Sequence, residues 1–342
     1  MSAPANCNRL GLSKNDYAGK PSTLCKGCGH DSITVAIQQA YYDLGIPPHE
    51  ITKFSGIGCS SKTPTYFVER GHGFNSVHGR MPSVATGASL ANGNLHIIGI
   101  SGDGDTASIG MGQFCHVVRR NVDMVYVIEN NGTYGLTKGQ FSATADFGSK
   151  GKKGWSNPYP TIDCCALAIE LGATFVARSF SGDRKQVIAL LKAAQAHKGI
   201  AVLDIISPCV TFNNHEGSTK SYTFVKEHDV PLHELGFVPS FEEIQVEMKE
   251  GELKDIELHD GSHLTLKKLA TDYDPSNAIG ALSVIHEAKE KQQIVTGLLY
   301  FNKDQKDHNS VLNMTSRALN TLTEVELDPG PEVLKKINSS LK

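Results

Sequence analysis

LHIIGISGDGDTASIG at residues 95–110 and VDMVYVIENNGTYGLTKGQ at residues 122–140 decide the fold. Each opens as an apolar, β-type run and ends in a polar cluster: Gly102-Asp103-Gly104-Asp105 after the first, Glu129-Asn130-Asn131-Gly132 after the second. The 25 residues between Gly104 and Asn130 leave room for one crossover helix, expected over Ile109 to Arg120, and the second strand. Such a unit is βαβ, with both clusters at the same rim of a parallel sheet. In open α/β sheets ligands bind at that rim. Carboxylate and amide oxygens flanked by glycines suit a hard divalent cation and a phosphate-bearing cofactor.

Upstream, residues 1–24 are polar and read as an extended arm. Leu24-Cys25-Lys26-Gly27-Cys28-Gly29-His30 follows. Asp31 is then the expected N-cap of a helix over Ile33 to Leu44, with Val35, Ile37 and Tyr41 facing the core. Ile51 to Ile57 reads as a strand that ends in Gly56-Ile57-Gly58-Cys59-Ser60-Ser61-Lys62. Val77-His78-Gly79-Arg80-Met81-Pro82 leads into a helix, because proline is favoured in a first helical turn. Small residues between Val84 and Ala91 allow close packing on a sheet or another chain.

Downstream, Phe141 to Pro160 reads as a loop. Helix (Ile162 to Leu171), strand (Ala173 to Arg178), helix (Arg184 to His197) and strand (Ile200 to Ile206) follow, the last delivering Ser207-Pro208-Cys209. After Thr211 the alternation lapses; the charge-rich residues 241–263 suggest two short strands, and Ala278 to Lys291 a helix. The expected architecture is an α/β domain over residues 25–219, an open, mostly parallel sheet with helices on both faces. The N-terminal arm precedes it, and an extension over residues 220–342 packs on the core or on a partner.

A chain of 342 residues with 39% hydrophobic and 20% charged content can build a sizeable core. Its net charge of −3 gives no reason to expect nucleic acid or an anionic membrane as partner. No apolar run approaches the ~18 residues of a membrane span, and no secretory h-region is present, so a cytoplasmic location is expected.

Eight cysteines in such a chain are not read as structural disulfides. Cys115, Cys164 and Cys165 sit in helical apolar patterns and read as buried core fillers; Cys7 has no readable role. Cys25, Cys28, Cys59 and Cys209 lie at strand ends or beside a helix start, so they can converge on one rim. Four scattered thiolates are compatible with a [4Fe–4S] cluster. The residues alone leave zinc and unligated thiols open, although a second C-x-x-C, usual in zinc ribbons, is missing. His72, His116 and His197 read as structural or exposed.

Asp-Gly and Asn-Gly are also common turn dipeptides, and each cluster taken alone reads as a turn. Their joint occurrence after two strands favours a ligand site. The pattern is neither an EF-hand loop nor the dinucleotide fingerprint. Gly102-Asp103-Gly104, followed after 25 residues by Asn130-Asn131, resembles the thiamin-diphosphate motif. Further segments occur with it in order over about residues 20 to 240: Cys25-x-x-Cys28-Gly29-His30, Gly56-Ile57-Gly58-Cys59-Ser60, His78-Gly79-Arg80, Asn131 through Gln140, and Ser207-Pro208-Cys209. Together they resemble the β subunit of 2-oxoacid:ferredoxin oxidoreductases, best the 2-oxoglutarate type.

The resemblance implies the diphosphate-binding module of the thiamin-diphosphate fold. It implies Mg2+ on the Asp103 carboxylate, the Asn131 side-chain oxygen and the Thr133 carbonyl, and a [4Fe–4S] cluster on Cys25, Cys28, Cys59 and Cys209. Cofactor contacts are implied for Gly29, His30, Ile57, Gly58, Ser60, His78, Arg80, Gly102, Asp103, Gly104, Asp105, Asn131, Thr133, Gly135, Leu136 and Thr137. Among these, His30 and Asp105 would contact the diphosphate region, while His78 and Arg80 are pocket residues without assigned roles. Leu24 and Lys26 stand where relatives often carry Trp and Pro; neither is a ligand, so the departure touches only the cluster's surroundings.

The implied reaction is oxidative decarboxylation of 2-oxoglutarate to succinyl-CoA and CO2, with coenzyme A accepting the acyl group and ferredoxin the electrons, reversible in principle. The carboxylate that activates the aminopyrimidine belongs to a second domain, carried in this family by an α subunit. The chain is therefore expected to be inactive alone and to work in an αβ or (αβ)2 assembly. Lys62 and Lys138, with Leu136, are the candidates for reading the substrate's distal carboxylate, since pyruvate enzymes tend to have Asn-Thr-Gly-Gly-Gln in place of Leu136-Thr137-Lys138-Gly139-Gln140. Competing readings are a relative acting on pyruvate or another 2-oxoacid, a non-redox thiamin-diphosphate decarboxylase or synthase, and a zinc-stabilised binding protein.

Overall fold

The computed structural model describes residues 7–150, 154–213, 218–231, 253–257, 263–267 and 273–341. In chain order the core begins with α1 (Gly29–Leu44), β1 (Ile51–Ser55), β2 (His72–Asn75), α2 (Met81–Ala91), β3 (His96–Gly102), α3 (Met111–Arg119) and β4 (Met124–Asn130). A small antiparallel hairpin of β5 (Thr133–Tyr134) and β6 (Gln140–Phe141) follows. Then come α4 (Cys164–Glu170), β7 (Phe175–Phe180), α5 (Arg184–Ala196), β8 (Ile200–Ile206), α6 (Tyr222–His228) and β9 (Asp229–Pro231). The chain continues through the paired strands β10 (Leu253–Glu257) and β11 (His263–Lys267) to α7 (Ala278–Glu290) and β12 (Ile294–Phe301).

Eight strands form the main sheet in the order β2-β1-β3-β4-β8-β7-β12-β9. The first six run parallel, β12 is antiparallel to β7, and β9 runs parallel to β12. Strand β4 explains why the sheet is covered twice. All seven of its residues are buried, as a strand covered on both faces requires. Its side chains alternate between two cores: Met124, Tyr126 and Ile128 enter one, Val125 and Val127 the other. The first core takes Met81 and Ala85 of α2, Phe114 and Val117 of α3, Cys165 and Ala168 of α4, and Ile285 of α7. The second takes Ile33 and Ile37 of α1 and Leu190 and Leu191 of α5. Each fully buried large apolar side chain of this kind contributes about 1.5–3 kcal/mol. The open, mostly parallel sheet with helices on both faces is the architecture expected from the sequence.

Several boundaries moved for identifiable reasons. Helix α1 starts at Gly29 rather than Ile33, with Cys28 as its N-cap residue, and Asp31 lies inside the first turn, where it accepts from Ser22 Oγ at 2.6 Å. The start inside the cysteine knuckle draws His30 into the core and leaves Val35 42% exposed, while Ile37 and Tyr41 are buried as expected. The first expected strand stops at Ser55, because Ser60–Thr65 coil into a 3-10 turn. Strand β2 was not foreseen: its residues are all exposed and carry no alternating pattern. The crossover begins not at Ile109 but with a π-type turn over Asp105–Ile109, closed by a Gly110 N–H to Asp105 carbonyl bond of 2.9 Å. The arm is tied down by the buried Tyr17, whose hydroxyl donates to the Ile46 carbonyl at 2.9 Å. Cys164 and Cys165 are buried, but Cys115 is only half-buried. Of the two short strands expected within residues 241–263, one is β10; β11 begins at His263, and residues 232–252 lie outside the described segments. No helix of the described residues is long and apolar enough to cross a membrane.

Candidate active site

The C-terminal ends of β1, β3, β4 and β8 lie side by side, with Gly102 opposite Glu129 and Asn130 opposite Ile206. A cavity of about 110 Å³ opens above them, lined by β-rim residues from four segments: His30; Ile57 to Ser60 with His78; Gly102 to Asp105; and Glu129, Asn131 and Thr133 to Thr137. Fifteen of these positions were anticipated; Glu129 and Tyr134 were not. Nothing marks Glu129 in the chain beyond its place in the second polar cluster. Tyr134 faces Gly104, to whose carbonyl its hydroxyl donates at 3.0 Å. Gly29, Arg80, Lys62 and Lys138 do not line the cavity. Arg80 and Lys138 are exposed, Lys62 is half-buried on the 3-10 turn after Cys59, and Lys138 sits between β5 and β6 with a left-handed φ of 79°.

Asp103 is 1% exposed, and its oxygens converge with those of the second cluster. Oδ1 accepts from the Asn131 N–H at 3.2 Å; Oδ2 accepts from Thr144 Oγ1 at 2.8 Å and from Ser142 Oγ. Asn131 Oδ1 in turn accepts from the Thr133 N–H at 3.0 Å. Burial raises the Asp103 carboxyl above its ordinary range, against the lowering effect of the Ser142 and Thr144 hydroxyls. Ser142 and Thr144 come from the stretch read only as a loop, so their part in the site was not legible. Two carboxamide or carboxylate oxygens and a nearby carbonyl make a hard donor set that fits Mg2+.

Asp105 behaves differently. Its carboxylate accepts from Ser101 Oγ at 2.8 Å, from the Gly79 N–H at 2.7 Å and from His78 Nδ1. A Cβ on Gly56 would lie 1.9 Å from Asp105 Oδ2, so the neighbouring backbone closes over the carboxylate. Asp105 borders the cavity, yet its oxygens are already spent on its own chain.

His30 and Glu129 meet in the cavity wall, His30 Nδ1 lying 3.1 Å from Glu129 Oε2. The distance is that of a contact, but neither ring nitrogen is aligned for a hydrogen bond, and Glu129 Oε1 also has no partner. Burial pushes His30 down to about 4 and Glu129 well above the carboxylate range. Both shifts have the same cause, burial, and both favour the neutral form over an ion pair. Thr63 Oγ1 donates to Glu129 Oε2 at 3.0 Å and ties the segment after Cys59 to β4.

The four anticipated thiols gather next to the same cavity. A Cβ on Gly135 would stand 3.6 Å from both Cys59 Sγ and Cys209 Sγ, so both sulfurs lie against this glycine of the cavity wall. The Cys25–Cys28 knuckle turns through a backbone bond, Cys28 N–H to Cys25 carbonyl at 3.0 Å, and packs on the loop after β8, where Thr211 Oγ1 lies 3.8 Å from Cys25 Sγ. Burial raises the Cys28 thiol to about 12, and burial also raises Cys59, with Cys209 and Cys25 adding to the effect. Among the described residues, no three His, Cys, Asp or Glu side chains form a group that could hold a single metal ion. A four-iron cube spans more space than one ion, and four thiols, two of them beside Gly135, fit its ligand chemistry.

A family model described as the thiamine pyrophosphate enzyme C-terminal TPP-binding domain matches residues 56–205. A 2-oxoacid:ferredoxin oxidoreductase subunit beta from Saccharolobus solfataricus is 40% identical over 247 residues, which are 69% of this chain and 78% of that relative. A 2-oxoglutarate synthase subunit KorB from Methanocaldococcus jannaschii is 35% identical over 245 residues, covering 69% and 88% of the two chains. Among solved structures, a 2-oxoglutarate:ferredoxin oxidoreductase from Magnetococcus marinus, with 2-oxoglutarate, coenzyme A and succinyl-CoA bound, superposes with a TM-score of 0.75. It is 28% identical, and the match covers 98% of this chain and 99% of that one.

Proposed function

The chain belongs to the family of 2-oxoacid:ferredoxin oxidoreductase β subunits, and from that premise we propose that it is the cofactor-bearing half of a 2-oxoglutarate:ferredoxin oxidoreductase. The enzyme converts 2-oxoglutarate and coenzyme A to succinyl-CoA and CO2 and passes two electrons to ferredoxin. The observation that carries this reading is the shared wall at Gly135, which puts the glycine-lined cavity directly against Cys59 and Cys209. Oxidative use of a carbanion-stabilising cofactor, unlike its redox-neutral use, needs an electron exit beside it, and that juxtaposition supports one.

Bound thiamin diphosphate supplies the electron sink that stabilises the carbanion left by decarboxylation. This chain's own residues do the holding. Asp103, Asn131 and the Thr133 carbonyl would bind Mg2+, and Cys25, Cys28, Cys59 and Cys209 would bind a [4Fe–4S] cluster. Ile57 and Leu136 line the cavity yet remain exposed, which supports a covering surface from an α subunit. The chain is accordingly inactive alone.

Lys62 and Lys138 remain the candidates for the distal carboxylate of the substrate. Neither lines the cavity within this chain, so their task lies at its mouth, beside the partner. Anaerobic purification with the α subunit should yield protein containing iron, sulfide and thiamin diphosphate that reduces ferredoxin with 2-oxoglutarate and coenzyme A. Lys62→Ala or Lys138→Ala should raise KM for 2-oxoglutarate by roughly 10-fold or more, the value of one charge-assisted bond, with little change for a 2-oxo monoacid. A colourless, thiamin-free assembly would refute the reading; equal effects on both substrates would remove the lysines from it.

A further inference from the structure

We propose that Lys53 is a positioning residue for the four-thiol site: from within β1 it fixes the segment that joins Cys59 to the Cys25–Cys28 knuckle. Lysine is rarely found where this one lies. It is 5% exposed, on a strand buried along its whole length. Its Nζ donates to the carbonyls of Pro64 at 2.8 Å, Phe67 at 2.7 Å and Val68 at 2.8 Å. An ammonium group has three protons to give and nothing to accept with, so three converging carbonyls match its capacity. Burial pushes Lys53 down to about 8, with the Glu69 carboxylate opposing, and the cation therefore persists at neutral pH. No apolar side chain of the same length could replace those donors.

The segment held in this way reaches thiols on two sides. It leaves Cys59 through the 3-10 turn Ser60–Thr65, whose Lys62 N–H returns to the Cys59 carbonyl at 3.2 Å. Beyond the turn, the Tyr66 hydroxyl accepts from the Thr23 N–H at 3.1 Å and pairs with Thr23 Oγ1 at 2.7 Å, just ahead of Cys25. Backbone bonds extend the join: Lys20 N–H to the Thr65 carbonyl at 2.9 Å, Val68 N–H to Tyr17 at 2.8 Å and Glu69 N–H to Ala18 at 2.9 Å. A Cβ on Gly19 would stand 2.4 Å from the Tyr66 carbonyl carbon, so the N-terminal arm lies directly on the segment. Val68 is the residue that most needs holding. It is fully buried at a left-handed φ of 41°, a conformation that a β-branched side chain resists. One ammonium group thus registers two stretches of chain that carry three of the four thiols; Cys209 arrives separately, on the loop after β8.

The inference rests on the cluster reading above, and its test has one arm that needs no cluster. In the cluster-free assembly with the α subunit, hydrogen–deuterium exchange is compared between wild type and Lys53→Met. The amides of Lys20, Val68 and Glu69 should exchange roughly 10-fold faster in the variant, a rise larger than any in β4 or β8. In the loaded assembly, kept anaerobic, iron should pass to a chelator roughly 10-fold faster, and the electron paramagnetic resonance spectrum of the reduced cluster should change. Lys53→Gln, which keeps a donor but reaches fewer carbonyls, should fall between the two and carries the test if Lys53→Met does not assemble. Tyr66→Phe removes only the tie to Thr23; it should speed iron release by a smaller factor and add little on top of Lys53→Met, because both act along one route. Iron release and spectra equal to wild type in the Lys53 variants would overturn the proposal even if exchange rose, since a merely structural lysine would loosen the fold without touching the cluster. A uniform rise in exchange across the sheet, or fully additive effects of Lys53→Met and Tyr66→Phe, would overturn it too. A wild-type assembly without iron and sulfide would instead overturn the cluster reading, an outcome distinct from these.

Discussion

Glu129 is a carboxyl with 0% exposure on the C-terminal rim of the sheet, and its chemistry follows from burial. Its pKa is raised well above the ordinary value, first by desolvation, and the Thr63 hydroxyl opposes this only in part. A folded pKa above the unfolded one has a definite sign. Below the unfolded value of about 4.3 both states are protonated and the group is neutral in the balance. As the pH rises above it, the unfolded chain ionises freely while the folded chain does not, and stability falls until the folded pKa is passed. Glu129→Gln removes that penalty and keeps the shape. In the ligand-free chain, urea unfolding should show the variant more stable by about 1–3 kcal/mol near pH 8, with the advantage gone near pH 4. Wild-type and variant profiles that stay parallel across this window would mean that Glu129 is already ionised in the fold. No sequence pattern announces this residue, because an acid after an apolar run reads as solvent-facing; only the register that sets it opposite Gly102 and Ile205 buries it.

At the scale of elements, the sheet was legible wherever burial on both faces forced an unbroken apolar run, as in β3, β4 and β8. What escaped were features set by side-chain hydrogen bonds. The start of α4 is an example. Asp163 caps it by accepting the Ala166 N–H at 2.9 Å and also receives Arg178 Nη2 at 2.6 Å. Arg178 Nε reaches Asp204 at 3.2 Å, Asp204 receives Asn130 Nδ2 at 2.9 Å, and Thr144 links Asn130 to Asp103. A buried polar chain therefore runs from the helix cap on β7's flank to the proposed Mg2+ ligand. Burial works to raise Asp163, but Arg178 prevails and holds its carboxyl below the usual range. A depressed carboxylate contributes stability above its unfolded pKa of about 3.9 and loses it as pH falls through the lower folded value. Asp163→Asn keeps the cap acceptor but not the charge, so its deficit at pH 7 should shrink on acidification below about pH 4. Asp163→Ala loses the cap too and should cost about 1 kcal/mol more at either pH. Chemical denaturation at pH 7 and pH 3 checks both, and a pH-independent deficit in Asp163→Asn would show the Arg178 pairing to be worthless.

Over the whole molecule, the alternation of strands and helices points to a working domain in residues 25–219 and leaves residues 220–342 as an extension, because it lapses after Thr211. The sheet is nevertheless completed from that extension: β12 pairs with β7, and α7 covers the face that α4 begins. The antiparallel strand arrives late in the chain, across a charge-rich segment, so no local βαβ spacing signals it. Ile285, Val295 and Leu299 are buried in the same core as Phe114 and Tyr126. Together they represent about 5–9 kcal/mol of burial, on the scale of the 5–15 kcal/mol by which a domain is stable at all. A chain ending after Pro231 keeps every proposed cofactor and cluster ligand, yet should fail to unfold cooperatively and should expose the β7 edge to aggregation. The helix Gly330–Ser340 provides the contrast, since none of its residues is buried against the rest of the chain. Removing residues 330–342 should leave the unfolding temperature of the isolated chain unchanged to within about 2 °C, the shift expected from well under 1 kcal/mol. Paired calorimetric scans of the two truncations decide the matter: a cooperative transition in the shorter chain would make the extension a separate appendage after all.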